Sequence, residues 1–308
     1  MAQLARLIQR RPPSGALGEE IIWGLVFALP WFVGFLAFKA GPILAALYLS
    51  FNHYDMLTPI RWAGIDNYLQ MPRDSLMFTA LYNTAYITLL GVPTSIAIAF
   101  ALALLLDTGV RGLSFYRTFF YMPSITPVVA SSLLWIWFLN PTAGPINFAL
   151  ELLGIPGPNW LASETWSKPA IVLMHLWTVG NTMVIFLAGL QGVPRHLHEA
   201  AAIDGADAIQ RFIHVTVPQM TPTIFFTTIM GVIGHMQVFS EAYIMTKGGP
   251  LNSTLFYVYY LFNNGFAYFR MGYASALAWL LFVIILVLTY IQMVLAPRWV
   301  HYESDVRE

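Results

Sequence analysis

The chain contains no cysteine. Disulfides, thiolate metal sites and a cysteine nucleophile are excluded, while the compartment stays open. Charge is also scarce: Asp, Glu, Lys and Arg make up 10% of the 308 residues, and the two signs cancel. Soluble domains carry roughly 25% charged residues, so this chain cannot cover a water-facing surface. A soluble globule and a disordered tail are both excluded. Zero net charge leaves no basic field for nucleic acid to follow. Lysine occurs at positions 39, 168 and 247 only, and none follows a glycine. There is thus no Gly-Lys phosphate loop, and ATP binding through a Walker motif is excluded. His198-Glu199 is followed by three alanines, which breaks the zincin pattern at its second histidine. His196 and His198 lie about 200° apart on a helix and cannot jointly face one metal. No Gly-x-Ser-x-Gly elbow or pair of intramembrane acids occurs, so no catalytic set is present.

What fills the chain is apolar: 58% of residues are hydrophobic. They cluster in six runs, roughly Ile21–Ser50, Phe78–Leu106, Phe115–Leu139, Pro169–Leu190, Thr223–Met245 and Ala274–Ala296. Each is long enough to cross a bilayer, which takes ~20 residues. Backbone in hydrocarbon must satisfy its own hydrogen bonds, so the runs predict an all-α polytopic membrane protein of about six transmembrane helices. A membrane barrel would instead show alternating segments of about 10 residues. The first run exceeds the roughly 7–15 apolar residues of a signal peptide and is expected to be a retained span. Lys39 sits inside it, next to Gly41-Pro42. A long tilted helix with Lys39 snorkelling is expected there, rather than a break. Pro30, Pro42, Pro93, Pro123 and Pro127 are expected to kink their spans.

An even number of spans puts both termini on one side. With the termini inside, nine cations face inward: Arg6, Arg10, Arg11, Arg111, Arg117, Arg195, Arg211, Arg298 and Arg307. Five face outward: Arg61, Arg73, Lys168, Lys247 and Arg270. The bias predicts cytoplasmic termini, with residues 1–20 and 298–308 flanking a membrane body at 21–297. Trp62, Trp160, Trp166, Phe266, Tyr268 and Phe269 then lie in the outer loops, as an interfacial belt or a docking surface.

The longest inner loop, 191–222, is not loop-like. Pro194 suits a first helical turn, and Leu197, Ala200, Ala201 and Ile203 continue it. Asp204-Gly205 signals a stop. Ile209, Phe212 and Ile213 then recur at helical spacing, with Pro218 and Pro222 bounding the next span. This is a compact helix–turn–helix. A lipid-lying helix would carry many basic residues, but the segment has Arg195 and Arg211 against Glu199, Asp204 and Asp207. Its alanines offer a smooth surface for another protein, and Gly205 permits a sharp reversal. Phe212 offers an aromatic anchor.

The run Glu199-Ala200-Ala201, Asp204-Gly205-Ala206, Phe212, Val215, Val217-Pro218 and Pro222 resembles the EAA signature of permease subunits of bacterial ABC importers. Tyr243 to Pro250, then Ser253-Thr254 and Met271 to Ala276, is similar to the carbohydrate branch, of the larger maltose permease and glycerol-3-phosphate permease type. The resemblance covers roughly residues 20 to 297. It implies a bacterial plasma-membrane pore subunit with no cofactor of its own. The implied partners are a second, non-identical permease, two ATP-binding subunits that hold ATP and Mg, and an extracytoplasmic solute-binding protein. Carried over, Glu199 would pair with a basic group on the ATPase. Ala200 and Ala201 would allow close approach, Asp204-Gly205 the turn, Phe212 the anchor, and Pro218 the entry to the next span.

Polar groups inside spans mark the expected solute path. Gln237 and Glu241 are four residues apart and would share a face of the fifth span; His235 would point nearly opposite. Trp177 and Asn181 would share a face of the fourth. Such groups suit a sugar, with rings stacking and hydroxyls bonding, or else they seal helix contacts. Only Lys39 is a cation away from span ends, which favours a neutral saccharide over a phosphate ester. The rival readings are an ion-gradient transporter, which would need intramembrane ion ligands and often repeats, and a membrane enzyme, which would need a catalytic set.

Overall fold

The computed structural model of the chain describes residues 14–108 and 112–301. Arg6, Arg10, Arg11, Arg111 and Arg307, which carry part of the predicted orientation, lie outside these residues. The described chain is helical, apart from one small hairpin of β1 (Asn52–His53) with β2 (Arg61–Trp62). The all-α expectation holds.

Not all runs cross as single rods. Among the described residues three helices are long and apolar enough to span: Ile21–Ser50, Ser75–Asp107 and Met271–Arg298. The first comprises α1 (Ser14–Phe35), a π-helical turn over Leu36–Ala40, and α2 (Gly41–Ser50). It stays unbroken at Gly41-Pro42, as expected. The π turn explains why. Proline has no N–H, and its ring collides with the carbonyl four residues back. The widened turn lets the Gly41 N–H bond to Leu36 O, five residues back, and α2 follows with Pro42 in its first turn.

The third and fourth runs are bent pairs rather than rods. α5 (Leu113–Ile125) and α6 (Val128–Phe138) meet at 100°. Thr126 is extended there, as a residue before proline prefers, and Pro127 starts the new direction. α8 (Ser167–Trp177) and α9 (Gly180–Gly192) meet at 48°. Gly180 allows α9 to touch α5: a Cβ there would lie 2.6 Å from Phe120 O. The fifth run is also interrupted. α12 (Val217–Met236) is capped by Gln237, and a π turn over Ala242–Thr246 follows. By contrast, Pro30, Pro93 and Pro222 lie inside uninterrupted helices.

Short helices α3 (Asp66–Gln70) and α7 (Pro145–Leu152) lie in the connections, and the long helix α4 (Ser75–Asp107) is the centre of packing, touching α8, α9 and α12. Its first half joins an apolar cluster with α13 (Tyr257–Phe262) and α14 (Met271–Leu295), including Ile87, Phe256, Tyr257 and Leu277. Its second half packs Ala99 and Ala103 against Met183, Phe186 and Met220. Among the described residues neither cluster includes α1: its Trp23, Phe27 and Trp31 stay exposed, as does Phe38 in the π turn after it.

Candidate functional site

The segment 191–222 folds from local rules. α10 (Arg195–Ile203) begins one residue after Pro194. It ends in a Schellman cap: Gly205 N–H bonds to Ala202 O at 3.1 Å and Ala206 N–H to Ala201 O at 2.9 Å. Gly205 has φ +84°, where a side chain would be strained. Asp207 then closes a capping box with Gln210 and starts α11 (Ala208–Arg211). A second π turn, Phe212–Thr216, joins α11 to α12 without a break. Val217 N–H reaches Phe212 O, five residues back, and Pro218 follows. The pattern matches that before Pro42. The helix–turn–helix is present, with one correction: Pro218 and Pro222 do not bound the next span but lie within one helical run reaching back to Ala208.

Exposure divides the segment. Glu199, Ala200, Asp204 and Gly205 are exposed, and Ala201 is half-buried. Ile203 is 87% and Ile209 69% exposed. Phe212 turns the other way. Its ring stacks on Phe100 of α4 at 6.0 Å, and Phe100 in turn meets Phe186 of α9 at 5.2 Å. It ties the elbow to α4 and stays half-buried. The outward apolar side chains are isoleucines, which the sequence offers only as markers of helix spacing.

Further along α12 lies a cavity of about 580 Å³ between α4, α9 and the broken fifth run. His235, Gln237 and Glu241 line it, with Ser95, Thr178, Thr182 and Ser240. Among the described residues no lysine or arginine lines it. The predicted shared face of Gln237 and Glu241 is absent, because helix geometry ends at Met236 and Gln237 leaves with φ −111°. The break brings them together instead, with His235, the candidate expected to point away. Trp177 and Asn181 share no helix face, since the chain bends between them. Neither lines the cavity. Trp177 meets Trp135 edge-on at 6.1 Å, and Asn181 is exposed on α9.

One lining residue was missed. His175 Nε2 lies 3.1 Å from Glu241 Oε1, and the His175 and His235 rings meet at 5.0 Å and 86°. Its signal was available: it is an ionisable side chain inside the apolar run Val172-Leu173-Met174-His175-Leu176-Trp177.

At the far end of α4 the segment Thr246–Tyr257 is held tightly. The Asn83 amide donates to Asn252 O at 2.7 Å and Leu255 O at 3.2 Å, and Asn83 Oδ1 accepts from Lys168 Nζ. Tyr257 N–H reaches Thr84 Oγ1 at 2.8 Å. The Thr246 and Thr254 hydroxyls lie 2.6 Å apart. Asp74, the N-cap of α4, accepts from Tyr260 and Tyr273. Burial alone would raise the Asp74 carboxyl, but those two hydroxyls and the Met77 N–H hold it below its ordinary value.

Residues 91–301 match the family described as binding-protein-dependent transport system inner membrane component. The probable ABC transporter permease protein YesP of Bacillus subtilis (strain 168) is 40% identical over 94% of this chain and 96% of its own. The sulfoquinovosyl glycerol transport system permease protein SmoG of Agrobacterium fabrum (strain C58 / ATCC 33970) is 33% identical over 82% of this chain and 83% of its own. Among solved structures, a bacterial ABC transporter involved in the import of the acidic polysaccharide alginate superposes with a TM-score of 0.80. It is 22% identical and covers 92% of this chain and 99% of its own, a likeness of fold.

Proposed function

The chain belongs to the inner membrane components of binding-protein-dependent transport systems, and from that premise we propose that it is a pore-forming permease subunit of an ATP-driven sugar importer. The solute is a sugar or sugar-like molecule: an oligosaccharide, a disaccharide, a polyol or a glycerol phosphate. The partners are a second, non-identical permease, two ATP-binding subunits that carry ATP and Mg, and an extracytoplasmic solute-binding protein. Both termini and the elbow Arg195–Arg211 face the cytoplasm. ATP is hydrolysed in the separate subunits, and this chain transmits the movement.

The observation that carries the reading is the elbow: a capped, rigid helix pair that presents Glu199, Ala200, Ile203 and Ile209 outward while Phe212 fixes it to the bundle. Exposed apolar side chains beside one fixed acid suit a groove on a partner with a basic group. Closure of the ATPase pair would push the elbow, and α12, continuous with it, would carry the push to the cavity. Hydroxyls, an amide and a carboxylate around that cavity suit a polyhydroxyl solute. The alternative, an ion-gradient transporter, leaves the exposed elbow without a role.

Purification is the test. The subunit should co-purify with an ATPase and a second permease, and its isolation as a lone active carrier would overturn the reading. Gly205→Pro should abolish uptake while the subunit stays in the membrane, because the Schellman cap needs both the positive φ and the Gly205 N–H. Normal uptake by that variant would refute the coupling role.

A further inference from the structure

Lys168 stands in the first turn of α8 and is half-buried. Its ammonium donates to Asn83 Oδ1 at 3.0 Å. It also lies 5.0 Å from the centre of the Tyr86 ring and 5.3 Å from that of Tyr82, both on α4. An ammonium has three donors and no acceptor. Among the described residues no second hydrogen bond and no ion pair engages this one. Two donors are left on a cation whose head is fixed by three side chains of α4. The same two tyrosines open a groove of about 350 Å³, lined further by Ala85, Leu89 and Leu90. These residues recur at helical spacing on one face, and Tyr82, Leu89 and Leu90 are exposed. From Tyr82 to Leu90 the groove runs about 12 Å towards the middle of the span, close to the ~15 Å of hydrocarbon in one leaflet. Trp166, the exposed N-cap of α8, and the two tyrosines are the residue types of a membrane–water boundary. The cation therefore lies at headgroup depth and the groove at acyl-chain depth.

We propose that this is a site for one anionic phospholipid, with its phosphate on Lys168 Nζ and an acyl chain along Tyr82–Leu90. The charge favours a lipid over a protein. A second protein helix laid on this face would bury the ammonium and would need an acid of its own against it. A phospholipid brings a phosphate and a chain at these two depths in one molecule. A headgroup with net negative charge is preferred, because a zwitterionic one carries a cation that competes for the phosphate. The bound phosphate would hold the ammonium against Asn83, whose amide in turn holds Asn252 O and Leu255 O. The lipid thus braces the segment Thr246–Tyr257 from outside the bundle.

The site needs a bilayer and not a transported solute, so its test is separate from that of the transport reading. Thermal midpoints of the full-length subunit in detergent are read with added dioleoyl-phosphatidylglycerol or dioleoyl-phosphatidylcholine. Phosphatidylglycerol should raise the midpoint by about 5 °C more than phosphatidylcholine does. Lys168→Gln should erase that difference and Lys168→Arg should keep it. Leu89→Trp, which fills the groove and leaves the charge alone, should also erase it. Lys247→Gln, at an exposed cation elsewhere, should leave it unchanged. The readout is a difference between two lipids, so a general loss of stability in a variant does not imitate it. Equal shifts from the two lipids, or a difference that survives Lys168→Gln, overturn the site. A photo-crosslinking side chain at position 89 should label phospholipid in native membranes. Labelling of another protein subunit there instead would make the face a subunit contact and overturn the lipid site.

Discussion

Two connecting segments sit at opposite ends of α4, and they are built on opposite terms. Thr246–Tyr257 is finished within the chain. Asn83, Thr84 and Lys168 hold its backbone or one another, and its large side chains Phe256 and Tyr257 are buried. The elbow Arg195–Arg211 is finished only in its own backbone. Its cap and capping box fix its shape, yet Ile203 and Ile209 remain bare. Asn83 and Phe100, which receive the two segments, are 17 residues apart, about 25 Å along a helix. Under the proposed function the contrast gives each segment its use. A segment pinned to a central helix moves with it, whereas a stiff segment with an uncovered apolar face is shaped for something to press against.

The comparison can be broken from its strong side first. Beside the pinned segment, the first connection docks on the start of α14, where a Cβ at Gly272 would lie 2.0 Å from Asn52 O. Both are backbone positions and cannot swing aside. Gly272→Ala should cost about 3 kcal/mol or more, read as a large drop in thermal midpoint of the purified subunit. Asn83→Ala comes next. It strips the buried Leu255 carbonyl and the part-buried Asn252 carbonyl of their donor and Lys168 of its acceptor, for about 2–3 kcal/mol. An unchanged midpoint would mean that the segment is not pinned there.

Asp74 gives a smaller, pH-dependent effect. Its carboxyl is held below its ordinary value in the folded chain, so its contribution is complete above the unfolded value of 3.8 and is lost as pH falls through the folded one. The same contact, with burial the larger cause, pushes the Tyr260 hydroxyl up to about 12. The thermal midpoint should be level above about pH 5 and decline below about pH 4, and Asp74→Asn should flatten that decline. The smallest effect sharpens the contrast. Ile203→Ser and Ile209→Ser should change stability by less than about 0.5 kcal/mol, yet weaken capture of the ATPase in pull-downs. A loss of stability instead would place those side chains inside the subunit's own packing.

Much of the elbow was legible. Its cap, its turn and its helix start are local hydrogen-bond patterns, and Gly205, Asp207 and Gln210 announce them in order. The inward turn of Phe212 was not, because it depends on Phe100, more than a hundred positions earlier. The cavity was half legible. A lone acid inside a span flagged Glu241, but helical periodicity assigned it a face that the break after Met236 removes. No glycine or proline follows Met236 to give that break away. His175 carried the same kind of signal as Glu241 and was passed over.

The sequence by itself determined that this is a helical membrane protein with a stiff elbow, because hydrocarbon leaves the backbone few options and caps are written within a few residues. Apart from the bend at Pro127, tertiary structure decided which spans bend, and so which polar side chains meet. His175, His235 and Glu241 come from separate helices, and only packing around α4 closes the distance between them.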